Sequence, residues 1–97
     1  MEIKLVKFGN TLVFRDRGRE AFTAIEPELK GLPDSEGITL DFTDVLTFSP
    51  SWGDEFLSPL FTKYGDKLVL KNTSNSSVKA TIDILEKTKK IKFKVLS

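Results

Sequence analysis

From Ile38 to Phe42 apolar side chains alternate with Thr39 and Asp41, and a short link then carries the chain to Ser49-Pro50-Ser51, a helix start. The alternation gives a strand with one strongly apolar face. A buried strand that feeds straight into a helix commits the chain to an α/β arrangement. The junction also matters chemically. The first turn of a helix leaves backbone N–H groups unpaired and carries a partial positive charge. It is a natural place for a regulatory phosphate, a bound anion or a docking partner.

The remaining segments fit around this unit. Ile3 and Leu5 alternate with Glu2 and Lys4, which predicts a strand over Glu2 to Phe8. Gly9-Asn10 then reads as a tight reversal, with Thr11 to Phe14 returning as the second strand of a hairpin. Phe22, Ile25 and Leu29 form one stripe of a helix over Arg15 to Leu29, which Pro27 is expected to kink or end near Ile25. Gly31 to Gly37 is polar and turn-rich. After the junction, a helix is predicted from about Pro50 to Tyr64 and a short strand over Lys67 to Lys71. A helix follows from about Val78 to Lys87, with Ser76 or Ser77 as its N-cap. Ile91, Phe93 and Val95 alternate with lysines in a last strand. The order β-β-α-β-α-β-α-β implies one domain over 1–97: a mixed sheet of about five strands with helices mainly on one face.

Composition narrows the chemistry. The 97 residues include no cysteine and no histidine. Disulfides and thiol chemistry are thereby absent, and so are the commonest general base and metal ligand. A serine nucleophile would have only lysine or carboxylate to activate it, so an enzyme is not expected. Asp41 and Asp44 could in principle hold Mg²⁺, but acidic pairs near turns are common. A net charge of +1 gives no global pull towards nucleic acid. Lys87, Lys89, Lys90, Lys92 and Lys94 cluster late but lack an aromatic stacking pattern. No apolar run reaches membrane-spanning length and no signal-peptide pattern opens the chain, so a cytoplasmic protein is expected. Asn72-Thr73-Ser74 and Asn75-Ser76-Ser77 match the glycosylation sequon and read as turn and cap residues.

Around the predicted central helix, Gly53, Leu57, Leu60, Phe61 and Tyr64 share the face expected to pack on the sheet. Ser51, Asp54, Glu55, Ser58 and Thr62 lie towards solvent. Trp52 and Phe56 fall between the two groups. They serve either as an aromatic docking flank or as rings tucked into the core. Ser49 suits the N-cap, with Pro50 at the first helical position, and a rival register makes Ser51 the cap.

Leu40-Asp41-Phe42-Thr43-Asp44-Val45, with Phe48 before the serines, resembles the strand that leads into the helix of STAS domains. Ser49, Ser51, Trp52, Gly53, Asp54 and Glu55 are more similar still to the junction of an uncharacterised STAS-like family. The resemblance implies the STAS fold, and a bacterial regulatory module with no cofactor in place of an enzyme. In antagonist STAS proteins a serine at the helix start is phosphorylated by a histidine-kinase-like ATPase that is both anti-sigma factor and serine kinase. Without gaps, Pro50 falls on that serine, Ser49 on the preceding aspartate and Ser51 on the following hydroxyl residue. Ser51, expected to point outward beside the helix start, is the first phosphorylation candidate and Ser49 the second. The partner-binding candidates are Trp52, Asp54, Glu55, Phe56 and Asp44. The competing expectation is a small-ligand or nucleotide sensor that holds an anion in the loop Asn72 to Ser77.

Overall fold

The computed structural model describes residues 1–96. Its strands are β1 (Glu2–Lys4), β2 (Thr11–Leu12), β3 (Ile38–Asp41), β4 (Thr47–Phe48), β5 (Leu68–Lys71) and β6 (Lys94–Leu96). Its helices are α1 (Arg15–Lys30), α2 (Pro50–Tyr64) and α3 (Ser76–Lys89). A four-stranded parallel sheet runs β1-β3-β5-β6, and β2 with β4 forms a second, two-stranded parallel sheet. Each strand of the larger sheet lies beside the next, with one helix between them in the chain. Right-handed crossovers that all step in one direction place the helices on a single face. The expected α/β class is therefore present, with every ladder parallel in place of the expected mixed sheet.

Register explains the two faces. Ile3, Leu40, Leu70 and Val95 lie side by side across the strands, and the first three are buried. The neighbouring row, Lys4, Asp41, Lys71 and Leu96, belongs to the opposite face. There Lys71 pairs with Glu2 at 2.6 Å. On the helical side α2 packs between α1 and α3. Leu12, Ile25, Phe48, Trp52, Phe56, Leu57, Leu60, Val78 and Leu85 fill the layer between helices and sheet.

The predicted hairpin does not form. The chain leaves β1 at Lys4 into a 3-10 turn over Leu5–Phe8, with Leu5 buried. Gly9 then adopts a φ of 118°, open only to glycine at low cost. Leu46 and Thr47 both donate their N–H groups to Asn10 O, and Ser49 N donates to Leu12 O. The second segment thus pairs with β4, and β1 pairs with β3. Local alternation predicted the strand but could not supply the partner.

Helix boundaries differ for equally local reasons. α1 runs through Pro27 to Lys30 because Ile25 and Leu29 are both buried. The carbonyl freed by Pro27 is that of Thr23, on the exposed side, where water can reach it. Asn75, not Ser76 or Ser77, caps α3: its Oδ1 accepts from Val78 N at 3.1 Å. Ser77 instead accepts from Phe48 N at 2.9 Å and ties α3 to β4. The last strand starts late because Phe93 is buried while its N–H donates to Glu86 Oε2 at 2.8 Å.

Gly18 lies where α1 crosses the start of α2. A Cβ there would stand 2.5 Å from the backbone oxygen of Trp52.

Candidate functional site

The three crossovers of the larger sheet bring helix N-termini to the carboxyl end of its parallel strands, where α/β domains commonly bind. β3 ends there on Asp41, which is buried. Its Oδ1 accepts from Thr43 N at 2.9 Å, Thr43 Oγ1 at 2.6 Å and Asn72 Nδ2 at 2.8 Å. The Asn72 amide and then the Thr43 hydroxyl hold this carboxyl at about 2, below its ordinary 3.8. Burial opposes them, while the Thr43 N–H and the charge of Lys71 assist. Asn72, with a φ of 58°, clamps the end of β5 to β3. Asp44 sits in the exposed turn beyond, at a φ of 68°. No group of three or more acidic residues able to hold a metal ion occurs among the described residues.

A depressed folded-state pKa stabilises the fold above the unfolded value and loses that contribution as pH falls through the folded one. Asp41 is therefore expected to contribute about 2 kcal/mol at neutral pH, lost between roughly pH 4 and pH 2. Urea denaturation across that window should show the loss in the native chain. Asp41→Asn should remove this part of the pH dependence and be less stable at neutral pH.

The junction itself divides into two sides. Of the two caps the pattern allows, Ser49 is the one that forms: its Oγ accepts from Trp52 N at 3.1 Å and donates to Val13 O at 2.5 Å. Pro50 takes the first helical position, where its missing N–H costs nothing. Ser51 follows, half-buried, and its hydroxyl has no hydrogen-bond partner among the described residues. It opens on a cleft of about 270 Å³, lined also by Arg15, Asp54, Ile84 and Lys89.

Asp54 stands at the centre of an ionic network on that side. Lys89 reaches its Oδ1 at 3.1 Å, Arg15 its Oδ2 at 3.2 Å, and Ser58 donates to Oδ1 at 2.8 Å. Burial alone would raise the pKa of Asp54; the hydrogen bonds from Ser58, Lys89 and Arg15 together outweigh it and hold the carboxyl low. Glu55 pairs with Arg19 at 2.9 Å and with Arg15 at 3.3 Å. Asp54 and Glu55, two of the three acidic residues expected to meet a partner, thus join α2 to its flanking helices.

The other side is core. Trp52 is 1% exposed and Phe56 0%. Trp52 stacks at 4.9 Å from Phe56 and meets Phe48 edge-on at 5.8 Å. The expectation that Trp52 and Phe56 offer a docking flank is corrected. α1 covers the side of α2 that a lone helix would leave open, and their rings lie beneath it. Gly53 is small for the same reason, since the Thr81 and Leu85 side chains press on it from α3.

These observations place a capped, helix-initiating serine pair at the carboxyl end of a parallel sheet with all crossovers in one direction. The family model described as a STAS-like domain of unknown function (DUF4325) matches residues 18–78. The chain belongs to this STAS-like family. The match runs from Gly18, within α1, to the first residues of α3 and so includes the whole junction. No curated protein and no solved structure gives a significant match.

In this STAS-like domain, Ser51, Asp54 and Asp44 remain reachable from the surface, while Ser49, Trp52 and Phe56 do structural work. The surface also includes residues that sequence reasoning passed over. Phe14, Leu46 and Ile84 are large apolar side chains left exposed. Leu46 lies between the Asn10 turn and Asn75, whose Nδ2 donates to Leu46 O at 3.2 Å. Ile84 could have been found, because it falls off the Val78-Ile82-Leu85 stripe. Phe14 was hidden by its assignment to the hairpin. The loop Asn72 to Ser77, considered as an anion cradle, spends Asn72, Asn75 and Ser77 on internal bonds. No described helix is long and apolar enough to cross a membrane.

Proposed function

We propose that this STAS-like domain is a non-enzymatic regulatory module. It docks on a protein partner through the start of α2 and is switched by phosphorylation of Ser51. The observation that carries this reading is the free hydroxyl of Ser51 in a cleft shared with Arg15 and Lys89. The partner in view is a histidine-kinase-like ATPase acting as anti-sigma factor and serine kinase, by analogy with antagonist STAS domains.

The physical argument is one of charge exchange. A phosphate adds about −1.5 to −2 charges at neutral pH and is favoured at a helix N-terminus. On Ser51 it would compete with Asp54 for Arg15 and Lys89, and it would stand beside an acidic side chain at the rim of the docking surface. Pro50, Leu46 and Ile84 give that surface its apolar contact, and Asp44 supplies its outer charge. Ser49 does not serve as the acceptor, because its hydroxyl holds both the α2 cap and the Val13 carbonyl.

A tagged pull-down from the native host with phosphosite mapping tests the reading. Recovery of an ATPase-kinase with phosphate on Ser51 is the expected result. Ser51→Asp should weaken that complex at least about tenfold, equal to roughly 1.4 kcal/mol, while Ser51→Ala keeps it. An unchanged complex with Ser51→Asp would remove the switch. Ser49→Asp is expected to act differently, lowering stability by about 1–2 kcal/mol through the lost bond to Val13.

A further inference from the structure

A second cavity lies between α1 and the chain that enters it, and shares no lining residue with the Ser51 cleft. Its volume is about 460 Å³, and its walls include Phe8, Phe14 and Trp52. That is the size of a small-molecule site, roughly 300–1,000 Å³. Phe14 is 72% exposed at its mouth.

Three polar groups around it have no partner. The indole N–H of Trp52 meets no acceptor among the described residues, although buried indoles usually find one. Yet no side-chain nitrogen or oxygen there is both fully shielded and unpaired. Nε1 therefore keeps a little exposure, and Trp52 is among the residues that line this cavity. Arg17 and Glu20 lie one helical turn apart on α1 and line the same cavity. Arg15 and Arg19 are paired with carboxylates, whereas Arg17 and Glu20 enter no ion pair among the described residues.

We infer that this groove binds a small zwitterion with an apolar body, namely a free aromatic α-amino acid such as tyrosine. Arg17 takes the carboxylate through its two-pronged guanidinium. Glu20 takes the ammonium. The ring lies against Phe8 and Phe14, and Trp52 donates its N–H to the phenol oxygen. Opposite charges at the rim disfavour a nucleotide, since Glu20 would repel its phosphates.

Trp52 is the chain's one tryptophan, so its fluorescence reports on the site directly. Titration of the full chain with tyrosine, excited selectively at tryptophan, should give a saturable change with a Kd of about 1 mM or tighter. Desamino-tyrosine, which lacks the ammonium, and tyramine, which lacks the carboxylate, should each bind about tenfold more weakly or worse. Arg17→Ala and Glu20→Gln alter exposed positions of α1 and should weaken tyrosine by a similar factor with an unchanged melting temperature. No response up to the solubility limit of tyrosine would overturn the inference. So would equal binding of desamino-tyrosine, a stronger response to ATP, or a tyrosine response indifferent to Arg17→Ala.

Discussion

Trp52→Ala is expected to cost about 4 kcal/mol, within the range of large aromatic truncations in cores. The ring is 1% exposed and touches Phe8, Phe48 and Phe56. Its loss leaves a void that α1 and α2 cannot close, because their backbones already meet at Gly18. A domain of this size is stable by only about 5–15 kcal/mol, so a large share of the total would go. Thermal melting followed by circular dichroism should fall by roughly 15–30 °C. Trp52→Phe, which keeps most of the volume, should fall much less. A Trp52→Ala variant that melts like the native chain but loses a partner would restore the docking role here assigned to other residues.

Gly18→Ala carries the second large effect, and its sign is diagnostic. In an ordinary helix interior, alanine is better than glycine by about 1 kcal/mol. Here the new Cβ would stand 2.5 Å from Trp52 O and 3.1 Å from two further backbone atoms. A backbone oxygen cannot swing aside as a side chain does, so α1 and α2 must separate. We expect a loss of about 3 kcal/mol, the upper part of the range for overpacking. Gly53→Ala makes the comparison. It meets only side-chain atoms, at 3.1 to 3.2 Å, and should lose less, about 1 kcal/mol. Urea melts of both variants check this ordering. A neutral or stabilising Gly18→Ala would mean that the two helices do not cross so closely.

The contrast between Trp52 and Ser49 shows how far a sequence can be read. Ser49-Pro50 carries its own explanation, since a cap and the proline after it depend on adjacent residues only, and Ser49 is one of the two caps the sequence allows. The buried side of α2, with Gly53, Leu57 and Leu60, was equally visible as a helical stripe. Trp52 and Phe56 were ambiguous because their burial depends on α1, whose contact with them is set by Gly18, far away in the chain. Thr11–Leu12 failed for a related reason. Its pattern named a strand, but its partner Thr47–Phe48 was fixed by hydrogen bonds from Leu46, Thr47 and Ser49 that no local period encodes. Asp54 and Glu55 looked like free acidic contacts because the cations that occupy them, Arg15, Arg19 and Lys89, come from two other helices. Asp41 is different again: its position at the end of a strand was legible, but its partner Asn72 arrives from the neighbouring strand.

The absence of any hairpin among the described strands bears on how this chain reaches its native state. Every strand pair joins segments with a whole helix between them in the chain. No ladder can close cheaply from a local turn, so each one bears the entropy of a long loop before it gains a bond. Helices form within about a microsecond, whereas non-local pairings of this kind take milliseconds or longer. The α1–α2 crossing at Gly18 and Trp52 is then the natural early nucleus, with β1 and β6, the outer strands, joining last. In pulse-labelled hydrogen exchange, amides of α1 and α2 should gain protection before those of β1 and β6.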